Sequence, residues 1–287
     1  MNRQQLMDRR SLMQALTFGA VGATGSAFAA DEPAKPKGNI KQSICRWCYG
    51  KFDLAKLAAE ANKLGYKSLE LLGANDIKTV KGMGLTCAVM SSAGSIADGL
   101  NRKENHDGIE KQLRTNIEFA AAEGIPSVLV MSGNRKGLAD DEGMNVCAEG
   151  LKRVVGFAEE KKVTILMEGL NSKVNHKDYM YDKTAWGVGL CKKVGSPRFK
   201  LLYDIYHMQI MEGDVIATIK ANKDYIGHYH TGGVPGRAEI DETQELNYPA
   251  IIKAILETGY TGYLGQEFIP KRDPANSLAQ AFKICDV

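Results

Sequence analysis

From residue 40 onward, short apolar runs alternate with longer stretches whose apolar residues recur at helical spacing. Ile40–Cys48 reads as a strand. Leu54, Leu57, Ala58, Ala61 and Leu64 then fall on one helix face, and Gly65 supplies a stop. Ser68–Leu72 is a second apolar run, Ile77–Met83 a short helix and Leu85–Met90 a third strand. His106–Ala122 forms an amphipathic helix that Gly124 closes before the run Ser127–Met131. A helix over Gly143–Lys161 leads into a fifth strand, Val163–Glu168. The alternation then continues through Lys183–Val194 (helix), Phe199–Tyr203 (strand), Asp214–Ala221 (helix) and Tyr225–His230 (strand). It ends with Tyr248–Glu257 (helix), Tyr263–Phe268 (strand) and Pro274–Ile284 (helix). Eight strand–helix units in about 250 residues predict an α/β chain folded as one (β/α)8 barrel domain over residues 40–287. A doubly wound open sheet alternates in the same way, but no G-x-G-x-x-G or Walker loop supports it.

The first forty residues do not share this pattern. Arg9-Arg10 precedes a small-residue apolar stretch from Leu12 to Phe28, which ends in Ala27-Phe28-Ala29-Ala30 and turns polar at Asp31. A charged start, an apolar middle and an A-x-A end describe an export signal over residues 1–30. Asp8-Arg9-Arg10-Ser11-Leu12-Met13 resembles a twin-arginine motif. The expectation is an exported, periplasmic protein with no stable membrane anchor, joined to its signal by a linker over 31–39.

Composition narrows the classes of partner. With 44% hydrophobic and 25% charged residues the chain is ordinary for a globular protein. Its formal charge of +3 is spread without a dense basic run, so nucleic acid is not an expected partner. Of the six cysteines, Cys45 and Cys48 form a C-x-x-C. They sit at the end of a strand and not at a helix N-terminus, and no second C-x-x-C completes a zinc site, so they read as strand residues at the barrel mouth.

In a (β/α)8 barrel, functional side chains gather where the strands end at their C-terminal side. The last four strands end in Glu168, Asp204, His230 and Glu267, each one βα unit (26 to 37 residues) beyond the previous one. Any one of them alone would read as a loop residue or a helix N-cap. Four in register bring three carboxylates and an imidazole to one mouth. Mutual repulsion and lost solvation would penalise them there, and a dication removes that penalty. Oxygen-rich ligation with one imidazole suits Mg²⁺ or Mn²⁺, with Co²⁺ also compatible. Nearby, His207 follows the sixth strand and could meet a substrate oxygen. Asn171 follows the fifth at the same rim. His228 shares a strand face with His230, so one could bind metal while the other supports it. Arg237, in the loop Gly232–Arg237, offers planar donors to a carboxylate or hydroxy-carbonyl group.

These segments resemble the hydroxypyruvate isomerase family, within the xylose isomerase-like TIM barrels that also include sugar 3-epimerases. The matching runs are Met167–Ser172, Tyr203–Gln209, His228–Arg237, Glu245–Pro249 and Gly265–Phe268. The resemblance covers 40–287 and is densest from 163 onward. It implies one metal held by Glu168, Asp204, His230 and Glu267, proton exchange by Glu168 and Glu267, and substrate contacts from His207 and Arg237. It further implies isomerisation of a small hydroxy-carbonyl compound, hydroxypyruvate to tartronate semialdehyde foremost, through a metal-stabilised enediolate. There are departures. Many hydroxypyruvate isomerases have Gln where this chain has His230, whereas the epimerases have His, and Gly169 stands where a proline commonly follows the first glutamate. A ketose 3-epimerase is therefore the alternative. Metal-dependent hydrolysis, which an endonuclease family of this architecture performs, fits less well with only five histidines. A non-catalytic sugar-binding protein would lack one of the paired glutamates. Barrels of this kind often pair into homo-oligomers.

Overall fold

The computed structural model describes residues 36–287. The expected export signal and the first part of the linker lie outside them. Eight parallel strands carry the fold. They are β1 (Lys41–Cys45), β2 (Ser68–Glu70), β3 (Val89–Ala93), β4 (Ser127–Val130), β5 (Thr164–Glu168), β6 (Phe199–Asp204), β7 (Ile226–Thr231) and β8 (Tyr263–Gln266). They are hydrogen-bonded in the order β2-β1-β8-β7-β6-β5-β4-β3. Parallel bridges Ser68–Thr86 and Leu72–Met90 join β2 to the β3 segment and close the ring. Pro36–Val287 is one compact unit, a (β/α)8 barrel.

The helices form the outer layer: α1 (Leu54–Leu64), α2 (Ala74–Gly82), α3 (His106–Glu123), α4 (Asp140–Lys152), α5 (Val155–Lys161), α6 (Thr184–Val194), α7 (Ile205–Met211), α8 (Val215–Asn222), α9 (Tyr248–Glu257) and α10 (Pro274–Cys285). Leu57, Ala58 and Ala61 of α1 are buried, as the spacing requires. Gly65 ends that helix at φ 98°, a left-handed conformation that costs glycine little. Strand residues such as Ile44, Leu69, Val128, Ile165, Leu201 and Leu264 are buried between the layers. Among the described residues no helix is long and apolar enough to cross a membrane.

Four local expectations change. The helix expected over 143–161 is two helices, broken at Arg153–Val154; the break buries both Val154 and Val155 while Arg153 turns out to Glu110 of α3 at 2.7 Å. The third strand begins at Val89, later than hydropathy suggests. Leu85 and Cys87–Met90 are all buried, so burial alone does not mark where pairing with β4 starts. Helix α7 has no strong amphipathic signal in the sequence. It forms because the Asp204 carboxylate accepts the His207 N–H at 3.1 Å and caps it. Cys48 is not a strand residue: the chain leaves β1 at Cys45 and turns through a 3-10 helix, Arg46–Tyr49.

Candidate metal and catalytic site

Glu168, Asp204, His230 and Glu267 converge at the C-terminal mouth, each offering a ligand atom within 4.8 Å of the others, and all four are buried. His230 Nδ1 lies 2.7 Å from Glu267 Oε2 and 3.3 Å from Glu168 Oε1. Asp204 has two jobs. One oxygen caps α7 and the other meets Arg237 Nη2 at 2.9 Å, so the helix-cap and functional readings of this residue both hold. Glu267 is held most firmly: Trp47 Nε1 donates to it at 2.6 Å and Arg237 Nη2 at 2.5 Å.

Two buried atoms of this cluster, Glu168 Oε1 and His230 Nδ1, have no hydrogen-bond partner. Orphaned buried polar atoms are costly, and these two face each other and the remaining carboxylates. Their chemistry, carboxylate oxygen and imidazole nitrogen, suits a hard divalent cation. The electrostatics agree. Burial, then the neighbouring Glu267, raises the pKa of Glu168. Burial pushes Asp204 up to about 8, against the pull of Arg237. Burial also works against a charged Glu267, but Arg237 and His230 overcome it and hold that carboxyl well below its usual range. Three carboxylates and an imidazole gathered this closely are a donor set that fits a divalent cation.

Beneath the cluster lies a group that the strand-end rule should have revealed. Glu70 is the last residue of β2, yet Ser68–Leu72 reads on hydropathy as a plain apolar run. Its Oε1 sits 2.7 Å from His230 Nε2 and 2.9 Å from His228 Nε2. A carboxylate on Nε2 keeps the proton there and turns the Nδ1 lone pair toward the ligand cluster. Burial opposes ionisation of Glu70, but His228 and His230 hold its pKa well below the usual range. Gly265 makes the contact feasible, since a Cβ there would stand 2.6 Å from Glu70 Oε1 and 2.7 Å from His230 Cδ2.

The cavity over the cluster measures about 430 Å³; Glu168, His207, Arg237 and Glu267 form one wall, and Leu71, Leu129, Met131 and Leu170 line much of the rest. Two residues that the sequence places near the site lie behind it. His228 lies below the metal residues against Glu70 and does not line this cavity. Asn171 does not line it either. Its backbone N–H lies 3.0 Å from His207 Nδ1, and Arg237 Nη1 stands 2.6 Å from Nε2 of the same ring. Burial and Arg237 lower the His207 pKa, so the ring is neutral. Two cavity residues had no strand-end signal: Trp47 in the 3-10 turn, and His176, whose ring centroid is 5.5 Å from that of His207. Leu71 and Arg237 both take left-handed backbone angles, φ 59° and 54°. Such strain in non-glycine residues clusters at functional sites.

A family model described as xylose isomerase-like TIM barrel matches residues 58–285. The chain belongs to that family. Among relatives, a 2-oxo-tetronate isomerase of Cupriavidus necator is 34% identical over 201 residues, 68% of this chain and 76% of that one. A human protein named putative hydroxypyruvate isomerase is 29% identical over 178 residues, 60% of this chain. The chain spans 63% of that human relative's length. Among solved structures, a family 2 AP endonuclease from Brucella melitensis superposes with a TM-score of 0.72 at 24% identity, over 84% of this chain and 98% of that one. The 3-keto-D-glucoside 4-epimerase of E. coli gives a TM-score of 0.72 at 19% identity, over 85% and 98%. These two neighbours carry different chemistry on one barrel, so within the family it is the site that must decide function.

Proposed function

We propose that this chain is a divalent-metal-dependent isomerase of an α-hydroxy-carbonyl compound, with Glu168, Asp204, His230 and Glu267 as the metal residues. The observation that carries the reading is the convergence of these four groups, two of them with orphaned atoms, at the floor of a cavity that both glutamates line. The names of the relatives, hydroxypyruvate isomerase and 2-oxo-tetronate isomerase, favour a 2-oxo acid as substrate. Mg²⁺, Mn²⁺ and Co²⁺ all suit the donor set.

A bound dication would supply Lewis-acid stabilisation of the charge that develops on the substrate oxygens. The protein supplies the rest. One glutamate takes the proton from the hydroxyl-bearing carbon, and the other returns it to the neighbouring carbon. Arg237 Nη1, 2.6 Å from His207 Nε2, fixes that ring beside the glutamates, and both side chains line the cavity where substrate oxygens would lie. Trp47 and Arg237 hold Glu267 in one orientation. The apolar wall limits access of bulk water to the reacting carbons.

Ketose 3-epimerisation is the second reading, favoured by the pair of glutamates on one cavity and by the His-x-His run at 228–230. Both readings are tested with the chelator-stripped protein, resupplied with Mn²⁺ in D₂O. Hydroxypyruvate and a panel of ketoses would be followed by NMR for deuterium incorporation at carbon. Metal-restored exchange is expected. Exchange that persists in chelator would remove the metal mechanism, and no exchange with any of these compounds would remove the isomerase reading. The expected export and any pairing of subunits stand as proposals beside this one. Secretion of the full-length chain, lost on Arg9→Lys together with Arg10→Lys, would test the first.

A further inference from the structure

The loop that follows β5 is fixed from within. Asn171 Oδ1 accepts the backbone N–H groups of Val174 and Asn175 at 3.1 and 2.9 Å, and the Asn171 carbonyl accepts that of His176 at 3.0 Å. Asn175 Oδ1 takes a further bond from the Tyr206 hydroxyl at 2.7 Å, and the Tyr179 N–H donates to the His176 carbonyl at 2.8 Å. A backbone set in advance loses little freedom when a ligand is held. The imidazole that this loop carries is left unengaged. His176 is half-buried; its ring packs beside that of His207, 5.5 Å between centroids, and makes no hydrogen bond among the described residues.

The ring faces open space on two sides. It lines the reaction cavity together with Glu168, His207 and Glu267. It also lines an adjoining cavity of about 450 Å³ to which none of the four metal residues contributes. His176 therefore stands at the border of the reaction cavity.

Charge decides what the ring can bind there. Burial, then the Arg237 guanidinium, lowers the His176 pKa against the pull of Glu267, so at neutral pH the ring is uncharged. One nitrogen then donates and the other accepts. Among the described residues Arg237 is the one cationic side chain that lines the reaction cavity. It is bonded to Asp204 and Glu267 and stacked between the Trp47 and Tyr206 rings, 5.4 and 5.0 Å from their centroids. An anionic group beside His176 would find no free cation. A hydroxyl, which both donates and accepts, matches either nitrogen of a neutral imidazole.

Resting on the hydroxy-carbonyl reading above, we propose that His176 is a substrate-binding residue, which holds a hydroxyl on the carbon beyond the reacting pair. A compound held at both ends lies one way round, with its reacting carbons over Glu168 and Glu267. One held by the metal residues alone is free to turn over.

The test uses two acids that differ by a single hydroxyl, 3,4-dihydroxy-2-oxobutanoate and 3-hydroxy-2-oxobutanoate. Each is titrated by calorimetry into the Mn²⁺-loaded full chain. The dihydroxy compound should bind about fivefold more tightly, the usual net worth of one hydrogen bond. His176→Phe, which keeps a ring but no nitrogen, and His176→Ala should both bring the ratio of affinities close to one. His176→Asn or His176→Gln, each of which places an amide near one ring nitrogen, should keep part of it, as a packing role would not. Mn²⁺ affinity should hold in all four variants. Equal binding in the unaltered protein, a ratio that survives in the Phe and Ala variants, its loss in all four, or no binding of either compound would overturn the assignment. So would loss of Mn²⁺ binding in the variants, because His176 would then act through the metal residues. A hydroxyl preference without deuterium exchange in D₂O would leave His176 standing and sink the isomerase reading. Exchange with equal binding of the two acids would do the reverse.

Discussion

Strands β5 to β8 deliver Glu168, Asp204, His230 and Glu267 to the mouth of the barrel, while strand β3 and the segments after β2 and β4 present Ser91, Ser92, Leu71 and Met131 to the same cavity. The first half is interlocked. Arg237 touches Asp204, Glu267 and His207, Trp47 holds Glu267, and Asn171 orients His207. The second half makes few polar contacts and offers shape. The contrast suggests a division of labour in which one half carries the reaction and the other selects what enters. Two residues cross the line: Trp47 follows β1 and Glu70 ends β2, yet both serve the reactive half.

The strongest way to break this comparison is to remove a glutamate. Glu168→Gln and Glu267→Gln should each lower turnover of the best substrate by about 10²–10⁴-fold, the usual worth of a positioned acid or base. A steady-state assay at saturating Mn²⁺ reads it, and a loss below threefold in both variants would mean that the reactive half is misassigned. The next effect tests whether Glu70 belongs with that half. Glu70→Gln should weaken Mn²⁺ binding by about 10–100-fold, because His230 loses the partner that fixes its tautomer. Calorimetry checks this without any assay of activity, and unchanged affinity would confine Glu70 to packing.

A pH series sharpens the same point. Burial raises the Asp204 pKa to about 8, so below that pH a proton competes with the cation for the carboxylate. Mn²⁺ affinity should therefore rise as pH increases from 6 to 8, by up to about tenfold per unit, with proton release that depends on buffer ionisation heat. A flat profile would show Asp204 already ionised in the metal-free protein. The smallest effect belongs to the shape-giving half. Met131→Ala should change KM for different substrates by only a few-fold, since a buried CH₂ contact is worth about 0.8 kcal/mol, while leaving Mn²⁺ affinity unaltered. Loss of metal binding there would erase the distinction between the halves.

Much of the reactive half was legible because period-2 and period-3.6 patterning locates strand ends, and the barrel rule turns strand ends into a shared mouth. Glu168, Asp204, His230 and Glu267 follow from that reasoning alone. Glu70 obeyed the same rule but was hidden: β2 is only three residues long, and its carboxylate sits inside an apolar run. Trp47 and His176 lie in irregular turns with no periodicity to mark them. His228 and Asn171 were placed on the correct rim or face, but a one-dimensional pattern does not say whether a side chain opens into the cavity or lies behind it.

The order of strands and helices, the eightfold repetition and the convergence of Glu168, Asp204, His230 and Glu267 were thus determined by sequence, because burial periodicity and chain length leave few other ways to cover so many apolar strands. The tertiary structure decided which imidazole nitrogen faces the carboxylates, that Asp204 both caps a helix and faces the cluster, and how Trp47, Arg237 and Tyr206 stack into one wall. Those outcomes depend on angles and on gaps of a few ångströms between residues far apart along the chain, such as Glu70 and His230 across Gly265. Only packing in three dimensions sets such distances.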